Sequence, residues 1–158
     1  MKGDTKVLKS LNSCLKDQLT AINQLFLHAR MTKDWGLGEF NDHEYKCSID
    51  AMKMADDLIE RILFLEALPN LQDLGKLQIG EDIPEILSCD LNMLLAMRSN
   101  IQNTMKQCEE VKDYMSRDIL EEMLEKTEEY IDWIETQQWL VKNTGLENYL
   151  QSQTGEYS

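Results

Sequence analysis

The chain has 158 residues, 42% of them hydrophobic, which is enough for the core of one domain of ordinary size. Its formal net charge of −13 argues against nucleic acid and anionic membranes as partners, and no stretch approaches the roughly 18 apolar residues of a membrane span. The four cysteines lie far apart without a CxxC pair, and the first residues lack an apolar signal-peptide run, so a cytoplasmic protein with reduced thiols is expected.

The first predicted element is a helix over about residues 5–34, which Asp4 or Thr5 could cap. At about 100° per residue, its apolar side chains form two stripes rather than one. The stripe expected to face the core consists of Leu11, Cys14, Gln18, Ala21, Leu25 and Ala29. The second stripe consists of Leu15, Leu19, Ile22, Asn23 and Phe26.

A second helix is predicted over about residues 40–66, a stretch without Pro or Gly. Its core stripe consists of Cys47, Ala51, Met54, Ala55, Leu58, Ile62 and Leu65. A second apolar stripe, well over a quarter-turn away, consists of Tyr45, Ile49, Met52, Ile59 and Leu63. A helix inside one small bundle needs only one such stripe, so the second should be buried against another chain or a ligand. Met52 lies in the middle of this second stripe.

The segment 67–82 that follows contains Pro69, Gly75 and Gly80 and is too long for a tight helical hairpin. It can run the length of a bundle, so the two helices that it joins could be parallel. Leucines at 68, 71, 74 and 77 predict that this segment packs on the bundle surface.

Three further helices are predicted, over about 83–111, 114–143 and 146–152. Asp82 caps the first of them, with Pro84 in its first turn, and Gly145 separates the last two. The sequence therefore predicts an all-α fold: a single ferritin-like domain over 1–158, with four long helices, a long crossover and a short fifth helix.

Six segments closely resemble bacterioferritin, and together they cover nearly the whole chain. They are MKGDTKV at the start, AINQLFLHARM at 21–31, ERILFLEALPNLQDLGKLQIGEDIPE at 60–85, DYMSRDIL at 113–120, IDWIETQ at 131–137 and GLENYLQSQ at 145–153. The resemblance implies a shell of twenty-four subunits that stores ferric mineral and oxidises ferrous iron at a di-iron site inside each bundle. It also implies b-type haem between pairs of subunits, with one Met from each as axial ligand.

The family's di-iron ligands are a Glu on the first helix, Glu-x-x-His on the second, a Glu on the third and Glu-x-x-His on the fourth. Those positions hold Gln18, Ala51, Met54, Leu94, Thr127 and Tyr130 in this sequence. An amide, a hydroxyl and a phenol cannot neutralise two irons in a low-dielectric bundle. The nearby acids Asp50, Asp90, Glu128 and Glu129 are expected on other faces or a turn away. The resemblance, with these departures, predicts that this chain has no di-iron centre and no ferroxidase activity by itself.

Met52 aligns with the family's axial haem ligand. Residues expected to line the haem slot are Leu19, Ile22, Asn23, Phe26, Tyr45 and Ile49, and Lys53 could meet a propionate. The alternative is that Met52 only fills space between subunits, since Met is a common gap filler.

Other positions match surfaces of the family shell. Near pores or the inner wall lie Glu109, Arg117, Asp118, Glu121 and Glu122, which could instead be an ordinary solvated face. In some family members a His and an Asp on the inner wall bind iron. Those positions hold Lys46 and Asp50 here, and the lysine puts that site in doubt. Asn148 and Gln151 resemble polar residues of a four-fold pore. Leu68, Leu71, Leu77 and Glu81 match the region where a small ferredoxin docks, although the leucines could only anchor the crossover.

The favoured hypothesis is a haem-binding, ferroxidase-deficient subunit of a homo- or heteropolymeric shell that serves intracellular iron homeostasis. A ferroxidase-competent bacterioferritin subunit would then oxidise incoming iron, while this chain supplies haem for electron flow during iron release. One alternative is a purely structural or haem-storage subunit. Another is an active enzyme with an unrecognised metal site.

Overall fold

The computed structural model describes residues 1–155. Within that range the chain forms α-helices and no β-strand: α1 Thr5–Asp34, α2 Gly38–Phe64, α3 Ile83–Glu110, α4 Tyr114–Thr144 and α5 Leu146–Ser152. The prediction of an all-α, ferritin-like four-helix bundle with a long crossover and a short fifth helix is confirmed. In the described part of the chain, no helix is both long enough and apolar enough to cross a membrane.

The helix ends follow from local hydrogen bonding. Asp4, Asp82 and Asp113 each accept a hydrogen bond from a backbone N–H in the first turn of α1, α3 and α4. Glu66 and Lys112 have φ of 60° and 61°, the left-handed conformation that stops a helix. α2 and α3 therefore end two residues and one residue earlier than the sequence predicts, because neither stop carries a glycine that would signal it.

Contacts between the ends of the helices establish their directions. The Gly3 N–H donates to the Leu65 carbonyl at 3.1 Å, so the start of α1 lies at the end of α2. Cys14 Sγ lies 3.4 Å from Thr104 Oγ1, which places the start of α1 beside the later part of α3. Because α2 and α3 both run antiparallel to α1, they are parallel to each other, and the long crossover makes this possible.

Buried apolar side chains form two clusters along the bundle. The apolar half, beside the start of α1, consists of Val7, Leu11, Cys14, Leu15, Ala55, Leu58, Ile62, Leu65, Ile101, Cys108, Leu120 and Met123. The other half, beside α5, contains Phe40, Tyr130 and Tyr149 among its buried residues, with Trp133 packed against them. We call it the aromatic half. Most of the candidate chemistry lies in the aromatic half.

Polar contacts, rather than leucines, hold the crossover on the bundle. The crossover lies on the bundle surface as predicted, but Leu68, Leu71, Leu74 and Leu77 are 83%, 55%, 50% and 37% exposed, so the leucines do not hold it there. Backbone N–H groups of the crossover donate to α1 side chains in four pairs: Asn70 to Asn12, Gly75 to Thr20, Gln78 to Gln24, and Gly80 to His28. The accepting side chains recur at multiples of four residues and so share one side of α1. This polar ladder satisfies the crossover backbone and leaves its leucines in solvent.

Candidate functional site

α2 presents different chemistry on its two sides. Ala51 is 2% exposed and faces the bundle interior, whereas its neighbour Met52 is 52% exposed on the outside. One residue turns a helix by about 100°, so adjacent side chains point in different directions. The inner and outer sides of α2 are therefore two separate candidate sites.

The outer site is apolar. Four large side chains on one side of α1 and α2 are 38–55% exposed: Phe26, Tyr45, Met52 and Leu63. We call them the outer apolar face. Phe26 and Tyr45 connect the two helices, with ring centroids 6.2 Å apart, and the Arg30 guanidinium carbon lies 4.8 Å from the Tyr45 centroid. A set of exposed aromatic and aliphatic side chains of this kind is typical of a surface that another molecule covers.

The remaining residues predicted to line a haem slot lie on the same two helices. Leu19, Ile22 and Ile49 are half-buried, whereas Asn23 and Lys53 are exposed. Leu15 was predicted in the second stripe of α1 but is fully buried in the apolar half. The second stripe is therefore exposed only toward the middle and the far end of α1.

The inner site brings together all six positions that align with the family's di-iron ligands. They line one pocket of about 110 Å³: Gln18, Ala51, Met54, Leu94, Thr127 and Tyr130. Met54 is half-buried and the other five are at most 7% exposed. The aligned positions thus converge from four helices on one place in the bundle.

The pocket offers few groups that could bind a cation. The Thr127 hydroxyl donates to the Met123 carbonyl at 2.7 Å, and its oxygen offers a cation only neutral lone pairs. Both amide atoms of Gln18 and the Tyr130 hydroxyl are buried without a hydrogen-bond partner. The Ala51 and Leu94 side chains carry no polar atom.

Charged side chains stand at the rim of this pocket. Asp50 and Glu129 line it together with Lys46 and Lys126, although the sequence placed both acids on other faces. Glu129 is exposed, and its carboxylate lies 3.6 Å from Lys126 Nζ. The rim acids are therefore solvated, and they do not replace the buried carboxylates of the family.

A second inner cluster joins three residues that sequence reasoning dismissed or missed. His28 on α1, Glu44 on α2 and Asp90 on α3 are all 0% exposed. One potential ligand atom from each lies within 4.8 Å of the others. Asp90 was judged to lie off the inner face, and neither His28 nor Glu44 was considered. Helix spacing could have found two of these residues. Glu44 and Asp90 lie four residues before Ser48 and Leu94, which are buried, and residues four apart on a helix share a face.

Hydrogen bonds assign the tautomer of His28. The Gly80 N–H donates to His28 Nε2 at 3.0 Å, so Nδ1 carries the proton and donates to Asp90 Oδ1 at 2.9 Å. The Gln24 amide donates to the same Asp90 oxygen at 3.0 Å. Asp90 Oδ2 and both oxygens of Glu44 have no hydrogen-bond partner. Both His28 nitrogens are therefore engaged, and the free lone pairs belong to the carboxyl groups.

Burial controls the ionisation of this region. Burial and the neighbouring Asp90 carboxylate raise the pKa of Glu44 well above its ordinary value. Burial and the nearby carboxyl groups, Glu44 first, also raise the pKa of Tyr130. His43 stacks on Trp133 with ring centroids 3.7 Å apart, and burial lowers its pKa to about 4. Burial therefore favours the neutral form of the Glu44 carboxyl, the Tyr130 phenol and the His43 imidazole.

The residues predicted to lie near pores, on the inner wall or at the ferredoxin region are on the surface, and some of them form ion pairs. Arg117 bridges Glu109 at 2.6 Å and Glu121 at 3.1 Å, and Asp118 and Glu122 line a groove beside them. Asn148 and Gln151 are exposed on α5, as are Leu68, Leu71, Leu77 and Glu81 on the crossover. The ion pairs around Arg117 partly neutralise the acidic patch there.

Comparison with known proteins places this architecture among its relatives. Residues 8–144 match the ferritin-like domain family. The chain is 42% identical to "Bacterial ferritin" of Synechocystis sp. over 157 residues, which are 97% of this chain and 99% of that protein. It is 39% identical to "Bacterioferritin" of Brucella melitensis and 40% identical to "Bacterioferritin" of Rhodobacter capsulatus, each over 94% of this chain and 92% of the relative. The chain has a four-helix bundle with a short fifth helix, and its matches to these relatives span both chains almost end to end. It therefore belongs to the bacterioferritin family.

Proposed function

We propose that this chain is a haem-binding subunit of an iron-storage shell and does not oxidise ferrous iron by itself. One observation carries the proposal: Met52 points outward from α2 among exposed apolar side chains, whereas the inner positions of the same helix, Ala51 and Met54, lack ionisable groups. The family builds its shell from twenty-four subunits, and a cytoplasmic shell of that size, made of this chain or shared with a second kind of subunit, is proposed here.

The outer apolar face supports the haem part of the proposal. In a two-fold interface the same face of each chain meets its copy, so a Met52 close to the symmetry axis would meet a second Met52. Two thioethers are soft, neutral ligands, so a pair of Met52 side chains would hold a haem that favours the reduced state and would supply electron transfer. Tyr45 and Phe26 would cover the flat apolar macrocycle, and exposed Lys53 would approach a propionate.

The inner pocket supports the absence of ferroxidase chemistry. Two irons inside a bundle need bridging carboxylates that neutralise their charge. Gln18, Thr127 and Tyr130 supply one amide, one hydroxyl already engaged and one phenol. We infer that iron oxidation is left to a second subunit with the complete ligand set, and that this chain contributes electron flow for iron release.

A reductant for the haem has a proposed docking region on the crossover. Leu68, Leu71 and Leu77 are 83%, 55% and 37% exposed, and polar contacts of the backbone free them from a structural role. A small ferredoxin is the partner that the family resemblance favours for this region.

The proposal is tested first on the native shell. Mass spectrometry of the intact particle, with haem and iron counted, should find a second bacterioferritin chain and haem between pairs that include this chain. A native shell made only of this chain would overturn the division of labour and favour the structural or haem-storage alternative.

Aerobic iron uptake by the purified homopolymer is the second measurement. Ferrous iron should be oxidised no faster than the uncatalysed background. Rapid saturable oxidation at two irons per chain would show that the chain is an active enzyme with a metal site that its family alignment does not include.

A further inference from the structure

We propose that Tyr130, Glu44 and Asp90 form a binding site for a single ferric ion, held by one phenolate and two carboxylates. The site lies beside the inner pocket in the aromatic half and uses only one of the six positions aligned with the di-iron ligands. It goes beyond the proposed function, which assigns this chain haem but no iron ligand of its own inside the bundle.

Unpartnered oxygen atoms mark the site. Both oxygens of Glu44, Oδ2 of Asp90 and the Tyr130 hydroxyl are buried, and none makes a well-aligned hydrogen bond, although the Glu44 carboxyl lies close to both Asp90 and Tyr130. Glu44 and Asp90 are 0% exposed and Tyr130 is 7% exposed. A buried polar group without a partner destabilises the folded protein, so several together in one place indicate a ligand that completes them.

The three side chains are close enough to share one ion. The carboxyl groups of Glu44 and Asp90 offer oxygens within 4.8 Å of each other. Two oxygen ligands on one metal lie at most about 4.4 Å apart at bond lengths near 2.2 Å, so a small approach suffices. The Tyr130 ring lies against α2, with its centroid 5.5 Å from that of His43, the residue before Glu44, and its hydroxyl faces the Glu44 carboxyl.

Charge selects the ion. Two carboxylates and a phenolate carry three negative charges, which one ferric ion neutralises completely. Neutrality matters because an uncompensated charge in a dry bundle is strongly unfavourable. A divalent ion would leave one negative charge behind, or would leave the phenol protonated and weakly bound. Hard oxygen ligands also suit a hard cation.

Binding exchanges protons for iron. Any proton that the Glu44 carboxyl or the Tyr130 phenol holds leaves as a ferric ion binds that oxygen, so iron binding and proton release balance. The ion supplies the positive charge that makes phenolate and carboxylate stable at this depth. No electron moves in this step, and one iron per chain does not provide the paired chemistry of a ferroxidase.

His28 and Gln24 position the site without binding the metal. Both donate to Asp90 Oδ1, at 2.9 and 3.0 Å, which turns the free Oδ2 of Asp90 away from them. His28 is itself fixed by the Gly80 N–H at 3.0 Å. Such outer contacts orient a ligand carboxylate and hold it ready for the metal.

The inner pocket provides access. Tyr130 lines this pocket of about 110 Å³, whose rim carries Asp50 and Glu129. Lys46 and Lys126 offset the charge of these acids, and Tyr130 both lines the pocket and lies against Glu44, which does not line it. A small movement of the phenol would admit an ion from the pocket to the three oxygens.

The test uses the purified full-length chain, stripped of iron, with less than one equivalent of ferric nitrilotriacetate. Iron-loaded minus iron-free difference spectra remove any contribution of haem. A phenolate-to-iron charge-transfer band should appear in the visible region, with resonance-enhanced tyrosinate vibrations. Tyr130→Phe should abolish the band, and Glu44→Gln, which keeps the shape of the side chain, should weaken iron binding at least tenfold.

Tyr149→Phe is the matched control, because Tyr149 is also buried in the aromatic half but its hydroxyl donates to Gln137 at 2.7 Å. This variant should keep the band. Absence of the band in the wild-type protein, or its persistence in Tyr130→Phe, would overturn the ferric site. Neither result bears on haem, because Met52 lies on the other side of α2 and its haem is measured separately.

Discussion

The outer and inner sides of α2 present side chains of different chemistry to two different candidate sites. On the outer side, Met52 is 52% exposed and offers one thioether that needs no counter-charge and no buried acid. On the inner side, Ala51 and Met54 occupy positions where a di-iron centre needs a carboxylate and an imidazole. The proposed outer site would need a second chain to complete it, whereas the inner site would have to be completed by α1, α3 and α4 of the same chain.

The comparison teaches that loss of one site need not weaken the other. Replacing buried carboxylates by Ala51 and Leu94 removes mutual repulsion and desolvation costs from the interior. The outer apolar face lies outside that interior, so its geometry does not depend on the inner ligands. Four predictions test this separation, from the largest expected effect to the smallest.

Met52→Leu should abolish haem binding and leave the shell assembled, because leucine keeps the volume of methionine but lacks sulfur. The measurement is the visible haem spectrum of the assembled particle. Met54→Leu is the matched control two residues away on the inner side, and it should keep the haem spectrum. A normal haem spectrum in Met52→Leu would move the axial ligand elsewhere.

Restoring the inner ligands should restore oxidation only when they are restored together. Gln18→Glu alone should leave the rate of aerobic iron oxidation at background, since one carboxylate cannot bridge and neutralise two metals. The combined variant Gln18→Glu, Ala51→Glu, Met54→His, Leu94→Glu, Thr127→Glu and Tyr130→His should oxidise iron measurably faster. Its iron-free form should be less stable than the wild-type protein, and its haem content unchanged. Saturable activity from Gln18→Glu alone would contradict this account.

Leu58→Ala and Leu94→Ala should lower the free energy of unfolding by different amounts, because of the two only Leu94 borders the inner pocket. Leu58 is 0% exposed in the apolar half, so its truncation should lower the free energy of unfolding by about 3–5 kcal/mol. Leu94 already borders a pocket of about 110 Å³ and loses fewer contacts, so about 2–3 kcal/mol is expected. Chemical denaturation at fixed protein concentration measures both, with exposed Leu95→Ala as a control within about 0.5 kcal/mol of wild type. Equal costs would mean that the pocket closes in solution.

Glu44→Gln should make the stability of the iron-free protein less dependent on pH. Folding raises the pKa of Glu44, so the folded state retains a proton that the unfolded chain releases above its ordinary pKa of about 4.5. The contribution of Glu44 is therefore complete below that pH and is lost as pH rises, by at most about 1.4 kcal/mol per pH unit. Groups facing Glu44 are His28, Cys47, Asp90, Tyr130 and Tyr149.

The measurement for Glu44→Gln is the free energy of unfolding between pH 5 and pH 8. The advantage of the variant over the wild-type protein should grow as pH rises. A difference that stays constant over this range would show that Glu44 is ionised in the folded protein.

The amino-acid sequence by itself determined the helices and the side on which many functional residues lie. Periodicity placed the stripe of Met52 well over a quarter-turn from the core stripe, because each residue turns a helix by about 100° whatever surrounds it. Asp82 and Pro84 marked the start of α3 by local capping chemistry. The six aligned positions were also identified without coordinates, and the structure places all of them around one pocket.

Only the tertiary structure decided what those residues meet. His28, Glu44 and Asp90 come from three helices, and their contact depends on the axial register of those helices, which periodicity does not contain. The leucines of the crossover looked like anchors, but the α1 side chains at 12, 20, 24 and 28 hold its backbone, and this polar ladder requires the crossover to lie along α1. Local sequence determines the side of its own helix on which a side chain lies. Which side chains of different helices come within contact distance is determined only by the packing of the bundle.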